Sequence, residues 1–326
     1  MKILFLDDKK TVTRLINTFE PQLVTDNLVE YDGARKFLFN YDGLSSWDLV
    51  IDCNYTNSFH TEIIRQCNKF EVASILLHDG IFEWKNSFEN GLGYNLYSSI
   101  EHDMFFFFGG NKFKSYLENL TGKECIPYIP NYVNKNESKN ENNDMKYDFL
   151  ITTANKCYFD ECEYVFLIDL LQSIIDYFNV SDFTYCLRIF DDKILNELKA
   201  INGDNIIGCS LEDALKFVSG GVVTTKSTLE FEVMQLDFPV CELIYRDVPI
   251  FDTPGWILFK GSNYDKIFYS MINPSKERMF HQKNILSQYK DTDILCFDEL
   301  TPNELKPPFY YKARLVIKKF ANMVRG

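Results

Sequence analysis

Two segments, one in each half of the sequence, carry side chains suited to acid-base chemistry or to binding an anion. In the first, His78, Asp79 and Gly80 follow residues 72–77, an apolar run of strand length. A carboxylate at the end of a strand, with a His beside it, can accept a proton from a sugar hydroxyl as a general base. The structural alternative is that Asp79 caps the next helix while Gly80 supplies the turn.

The second segment, residues 220–232, runs from an apolar strand into a hydroxyl-rich turn and then into a helix. Free N–H groups at the helix start, the hydroxyls of Ser227 and Thr228 and the ammonium of Lys226 would together hold a phosphate. The alternative is a helix cap, in which Ser227 or Thr228 acts with Glu230 and Lys226 lies in solvent. The glycine spacing of a Walker loop is missing before Lys226.

Two weaker signals lie between these segments. Asn155 follows the first candidate strand of the second half, where a doubly wound sheet usually meets its ligand. Arg188 follows another candidate strand, so its guanidinium is expected to reach a phosphate or a carboxylate in the same crevice. An ion pair of Arg188 with Asp191 or Asp192 is the structural alternative.

Several other kinds of site are not predicted. The nine cysteines include no C-x-x-C pair and no His at zinc-ligand spacing, so they are expected to be reduced thiols and no metal site is predicted. The four histidines form no H-E-x-x-H motif, and G-x-S-x-G is absent. No Gly-rich dinucleotide fingerprint is present, which disfavours a nicotinamide enzyme and indicates no cofactor.

The elements that must position these residues alternate between strands and helices, which indicates an α/β fold. The candidate strands are residues 2–6, 49–52, 72–77, 104–108, 125–128, 147–151, 183–187, 205–208, 221–223 and 239–243. Apolar residues at helical spacing predict a helix over residues 161–178. In an open parallel sheet the loops at the carboxyl ends of strands bind the ligand, and both segments fall at such ends.

A polar stretch divides the chain. Residues 134–146 hold one apolar residue in thirteen and are expected to form a linker. It separates residues 1–133 from residues 147–306, so we predict two doubly wound domains in tandem. Residues 307–326 end in a basic amphipathic segment, expected to be either a closing helix packed on the body or a helix lying on anionic lipid.

The charge composition of the chain limits the classes of partner that it is expected to bind. Lys and Arg number 34 against 47 Asp and Glu, a net charge of −13, so nucleic acid is not an expected partner. The apolar start of the chain is too short for a signal peptide, and no stretch reaches the length of a membrane span. A cytoplasmic protein is expected, with peripheral contact at the inner membrane through residues 311–326 as an open possibility.

In combination, the motifs resemble the GT-B glycosyltransferases of bacterial surface polysaccharide synthesis, particularly those that use CMP-activated acidic sugars such as sialic acid or Kdo. His78-Asp79-Gly80 is similar to their acidic-Asp-Gly motif, with His78 where the family has an acid. The segment Val223–Thr228, with Glu232 and Pro239-Val240, is similar to their serine/threonine motif, and Ile129-Pro130-Asn131 to the end of the amino-terminal half. The His-Pro motif that contacts CMP in sialyltransferases is absent, since no His precedes a Pro.

This resemblance implies two Rossmann-like domains facing a cleft, with an acceptor side in the first half and a donor side in the second. Asp79, with His78 beside it, would be catalytic, as a general base or, in a retaining reaction, as a nucleophile. The implied donor-binding residues are Asn155, Arg188, Lys226, Ser227, Thr228 and Glu232.

The implied activity is metal-independent transfer of a sugar from a nucleotide donor to a glycan or lipid-linked acceptor. The alternatives are a nucleotide-sugar 2-epimerase, which shares this tandem architecture, and a non-catalytic transferase-like subunit of a polysaccharide-assembly complex.

Overall fold

The computed structural model describes most of the chain in two sheets with helices around them. The described residues are 2–16, 28–38, 40–54, 57–81, 84–85, 100–133, 145–154 and 159–288. Predictions made for Asn155, for residues 134–144 of the linker and for the tail at residues 307–326 lie outside these ranges.

The first half of the chain forms a parallel sheet. Its strands are β1 (Lys2–Phe5), β2 (Leu28–Glu30), β3 (Leu49–Asp52), β4 (Ala73–Ile81), β5 (Met104–Phe108) and β6 (Glu124–Pro127). They pair in the order β2-β1-β3-β4-β5-β6, with every pairing parallel. From β1 the chain adds β2 on one side and then β3 to β6 on the other side. The topological switch point therefore lies between β1 and β3.

Helices cover both faces of this sheet. They are α1 (Lys9–Ile16), the short α2 (Gly33–Lys36), α3 (Ser58–Lys69) and α4 (Asn111–Thr121), with a 3-10 turn at Leu44–Ser46. Because side chains alternate along a strand, Ile3 and Phe5 pack with α1 on one face. Leu4 and Leu6 pack with α3 on the other face, which is a doubly wound arrangement.

The second half repeats this plan. Its strands are β7 (Tyr147–Thr152), β8 (Tyr185–Arg188), β9 (Asp204–Asn205), β10 (Val218–Thr224), β11 (Val240–Ile244) and β12 (Trp256–Phe259). They form a second parallel sheet in the order β12-β11-β10-β7-β8-β9. Its switch point lies between β7 and β10.

The helices of the second half are α5 (Glu161–Val180), α6 (Asp192–Glu197), α7 (Leu211–Leu215), α8 (Thr228–Gln235), α9 (Tyr264–Ile272) and α10 (Lys276–Gln288). Helix α5 matches the helix predicted over residues 161–178 and continues two residues further. A capping box sets its start, since the Asp160 side chain accepts the Glu163 amide and the Glu163 carboxylate accepts the Asp160 amide.

The two halves of the chain pack against each other through one hydrophobic cluster. Phe108 and Val133 belong to the first half but pack among buried residues of the second. The Phe108 ring lies 4.7 Å from the Phe231 ring, centroid to centroid. This contact joins the end of β5 to α8, so it brings the carboxyl edges of the two sheets together.

The structure differs from the predicted strands in several places. Strands β2 and β12, at the outer edges of the sheets, were not predicted. In place of the strand predicted at residues 205–208 there is a shorter one at Asp204–Asn205, β4 continues beyond residue 77 to Ile81, and β10 begins at Val218. No described helix is long and apolar enough to span a membrane.

Candidate active site at the junction of the two sheets

The segment His78-Asp79-Gly80 belongs to β4 and not to a loop after it. The pairing of β4 with β5 is interrupted between Leu77 and Ile81, so these three residues stand off the regular ladder. Asp79 therefore lies within an irregular strand end, two residues before β4 ends, and it is not the N-cap residue of any helix that the structure describes in full.

The two ionisable residues of this segment face different surroundings. His78 is buried, burial lowers its pKa, and its carbonyl oxygen accepts the Tyr128 hydroxyl at 2.5 Å. The Asp79 side chain is 54% exposed. Asp79 is thus the residue that a ligand can reach, while His78 lies beneath it.

Arg14 and Tyr132, two residues not predicted from the sequence, hold Asp79. Arg14, on α1, pairs with the Asp79 carboxylate at 3.1 Å. The Tyr132 hydroxyl donates to the Asp79 carbonyl oxygen at 2.5 Å, and the Arg14 guanidinium stacks over the Tyr132 ring at 4.7 Å. These two residues thus set the position of both the backbone and the carboxylate of Asp79.

Thr228, the first residue of α8, meets this group from the second half. Its Oγ1 accepts the Ile81 amide at 3.4 Å, and a β-carbon placed on Gly80 would lie 3.8 Å from the same oxygen. Burial raises the pKa of Tyr132 to about 12, and a hydrogen bond between Tyr132 and Thr228 acts in the opposite direction. Tyr132 therefore touches both Asp79 and Thr228, and the two predicted segments adjoin.

The turn before α8 has features of an anion site. Ser227 occupies the N-cap position with extended backbone, and its side chain makes no capping hydrogen bond within the described structure. Its carbonyl oxygen accepts the Glu230 amide at 3.1 Å. The predicted side-chain cap at Ser227 is therefore not formed in the described part of the chain. Ser227, Thr228 and Leu229 are partly exposed, as an anion site at a helix start requires.

Lys226 lies in an ionic cluster and not in solvent, which corrects the alternative considered above. Its ammonium contacts Glu230 at 3.1 Å, Glu242 at 3.3 Å and the Asp252 carbonyl oxygen at 2.6 Å. Burial raises the pKa of Glu230 to about 8 and also raises that of Glu242. The carboxyl groups of Glu230 and Glu242 already bind the Lys226 ammonium, so a phosphate would have to compete with them.

Arg188 ends β8 near the same edge of the second sheet. Its Nε donates to the Cys209 carbonyl oxygen at 3.5 Å, and its guanidinium stacks over the Phe190 ring at 4.7 Å. Burial lowers the pKa of Arg188, and the charge of nearby Glu232 opposes this shift. The alternative partner Asp191 caps α6 by accepting the Lys193 amide.

Threonine hydroxyls line the switch point of the second sheet. Thr225 Oγ1 accepts the Ala154 amide at 2.8 Å, which ties the ends of β10 and β7 together. The Oγ1 atom of Thr153 is buried without a hydrogen-bond partner among the described residues.

Lys85 makes a second contact between the two halves of the chain. No sequence pattern predicted a role for this residue. Its ammonium contacts Asp160 and lies 3.0 Å from Glu163, the two residues of the α5 capping box. The surrounding junction also holds a cavity of about 50 Å³, whose lining includes Trp84, Phe108 and Arg246. This part of the junction is mainly apolar.

No protein-family model matches the chain, and no curated protein matches its sequence. Solved structures do match. A Listeria monocytogenes protein described as a UDP-N-acetylglucosamine 2-epimerase superposes with a TM-score of 0.59 at 11% identity, over 89% of this chain and 92% of that one. MnaA of S. aureus, solved with UDP, gives 0.55 at 11% identity, over 89% and 92% of the two chains.

The lipopolysaccharide outer core galactosyltransferase WaaB gives a TM-score of 0.51 at 11% identity, over 90% of this chain and 96% of WaaB. At this identity the similarity shows the fold. The chain has the GT-B architecture of two Rossmann-like α/β domains, which confirms the fold predicted from the sequence.

Proposed function

We propose that the protein is a nucleotide-sugar-dependent glycosyltransferase that works at the junction between Asp79 and the Ser227-Thr228 turn. The observation that carries the proposal is the contact of Thr228 with the end of β4, because it puts an exposed carboxylate beside a helix N-terminus. The galactosyltransferase WaaB, which has the same fold, lends further support.

The donor phosphate would bind the hydroxyls of Ser227 and Thr228 and the first amides of α8. Arg188 would add positive charge from β8, with Asn155 and Glu232 as the remaining predicted donor contacts. As the bond between the sugar and the phosphate breaks, these donors would stabilise the charge that develops on the leaving oxygen.

Asp79 would act on the other side of the sugar. In an inverting reaction the acceptor oxygen attacks the anomeric carbon, the phosphate leaves, and the acceptor proton passes to the Asp79 carboxylate. In a retaining reaction Asp79 would first attack the anomeric carbon as the phosphate leaves, which forms a covalent glycosyl intermediate. The acceptor oxygen would then displace Asp79 and lose its proton to the departing carboxylate. His78 would support the segment from beneath.

The finer assignments follow the resemblance. Residues 1–133 would form the acceptor side and residues 147–306 the donor side, joined by the linker at residues 134–146. A CMP-activated acidic sugar is the proposed donor and a glycan or lipid-linked molecule the acceptor. Transfer would need no metal at the phosphate, and the basic segment within residues 307–326 would contact the cytoplasmic membrane face.

Nucleotide binding tests the proposal directly. Thermal unfolding would be followed with CMP, CDP, UDP and no nucleotide, for the wild type, Ser227→Ala, Thr228→Ala and the exposed control Ser173→Ala. We expect at least one nucleotide to stabilise the wild type and the control, and the two turn variants to lose most of that shift. If no nucleotide stabilises the wild type, or both turn variants keep the full shift, the proposal is wrong. Such a result would favour the alternative of a non-catalytic, transferase-like subunit.

An epimerase is the second candidate, because the Listeria monocytogenes structure described as a 2-epimerase shares the fold over most of both chains. Incubation with a donor sugar and no acceptor separates the two. A sugar inverted at C2 without transfer identifies an epimerase, whereas a transferase requires the acceptor for its product.

A further inference from the structure

A second group of polar residues lies at the switch point of the first sheet. Asp7 follows β1, Asp52 ends β3, and His60 lies in the first turn of α3. One ligand atom from each of the three lies within 4.8 Å of the others. Asp52 is fully buried, His60 is almost fully buried and Asp7 is partly buried. The cluster therefore differs from the solvated acidic side chains of a protein surface.

Hydrogen bonds hold each member of this cluster in place. Asp52 contacts His60 Nδ1 at 2.7 Å and His102 Nε2 at 3.2 Å, and it accepts the Asn54 amide at 2.8 Å. Asp7 accepts the Cys53 amide at 2.8 Å. The bond to His60 joins two members of the cluster, whereas the contacts from His102, Asn54 and Cys53 come from outside it. Contacts of the second kind orient carboxylate and imidazole ligands around a metal ion.

Two of the three members border a cavity, and Asp52 is buried behind them. Asp7 and His60 line this cavity of about 330 Å³, together with Asp8, Asn54 and Asn57. The cavity lies at the carboxyl edge between β1 and β3, the place where an open parallel sheet binds ligands. It has room for water molecules, which complete the coordination of an ion held by three protein ligands.

We propose that Asp7, Asp52 and His60 bind one divalent first-row transition ion, Mn²⁺ or Zn²⁺. Two carboxylates brought together inside a protein require positive charge nearby, and a dication supplies it. Two oxygen ligands and one imidazole nitrogen favour such an ion over Mg²⁺ or Ca²⁺, which prefer oxygen alone. Donor atoms bound at about 2.1 Å to one ion lie within about 4.2 Å of each other, so the observed cluster needs only small side-chain movements.

This site is separate from the proposed sugar transfer. Its ligands come from the loop after β1, from β3 and from α3 of the first half, whereas the donor phosphate would bind the start of α8 in the second. The ion would therefore tie the loop after β1 to β3 and would not carry the phosphate. The three ligands stand 45 and 8 residues apart in the chain, so no local motif predicts a metal site there.

Binding of Mn²⁺ to the metal-stripped, full-length protein tests the site. Electron paramagnetic resonance would measure free Mn²⁺ during a titration, with unfolding temperature recorded in parallel. We expect one ion per chain and a higher unfolding temperature with the ion. Asp7→Asn and His60→Gln should each weaken binding about tenfold or more. Asp8→Asn, at the neighbouring position of the same cavity, should bind as the wild type does.

Three outcomes would overturn the proposal: no saturable binding of Mn²⁺ or Zn²⁺, binding that both ligand variants retain, or equal affinity for Mg²⁺. The first would mean that protonated imidazole alone balances the carboxylates. Asn at position 7 retains an acceptor for the Cys53 amide, and circular dichroism would check that each variant folds. Nucleotide binding is measured separately, so failure of the metal site and failure of the proposed transferase are distinguishable.

Discussion

The Thr228 hydroxyl at the start of α8 accepts the amide of Ile81 at the end of β4, although 147 residues separate them in the chain. This bond fastens the hydroxyl-rich turn of the second half to the strand that carries Asp79. Interactions at this point therefore contribute to stability and to the proposed chemistry together, and variants can separate the two contributions.

Thr228→Val keeps the shape of the side chain but removes its hydroxyl. We expect the free energy of unfolding to fall by about 1 kcal/mol, because the hydrogen bonds to Ile81 and Tyr132 are lost. Nucleotide affinity should fall about tenfold. Urea denaturation and calorimetric titration measure the two quantities. Thr13→Val, at a partly exposed position of α1, is the matched control, and equal effects in both variants would contradict the prediction.

Asp79→Asn should reduce transfer about 10²- to 10⁴-fold through loss of the carboxylate, with nucleotide affinity unchanged. Stability should change by less than about 1 kcal/mol, since its ion pair with Arg14 is largely exposed. Initial rates at saturating donor give the effect on turnover. Glu30→Gln removes another paired surface carboxylate, from β2, and should leave the rate intact. Full activity in Asp79→Asn would exclude the proposed catalytic role.

Stability should depend on pH through Glu230. Its pKa is raised to about 8 by burial, so between about pH 4.5 and pH 8 the folded protein holds a proton that the unfolded chain releases. The free energy of unfolding should therefore decrease as pH rises through this window and level off above it. In Glu230→Gln this slope should flatten, and in the exposed control Glu124→Gln it should persist. Urea denaturation at a series of pH values gives the slope, and an unchanged slope in Glu230→Gln would refute the assignment.

Lys85→Met should loosen the junction, because Lys85 bridges the first half to Asp160 and Glu163 of α5. We expect a larger radius of gyration by small-angle X-ray scattering and a lower unfolding temperature. Lys36→Met, which removes a Lys paired with Glu30 inside the first half, should leave the radius unchanged. The same radius in both variants would show that this contact does not hold the halves together.

Local pattern predicted the interior strands well, because their apolar runs are nearly continuous. Residues 49–52 and 104–108 were predicted with the bounds that β3 and β5 have in the structure. The edge strands gave weaker signals. In β2 all three residues are at least partly exposed, and β12 alternates buried and exposed positions over only four residues.

By itself, the sequence determined the α/β class, the tandem arrangement and the two segments most suited to chemistry. These features depend on side-chain periodicity and on the polar breaks between elements, which are properties of neighbouring residues. Tertiary structure alone decided that Arg14 and Tyr132 hold Asp79, that Lys226 binds Glu230 and Glu242, and that Asp7, Asp52 and His60 converge. Such contacts depend on the order of the strands and on how the two sheets pack together. They join residues far apart in the chain, and no local sequence pattern predicts which distant residues will meet.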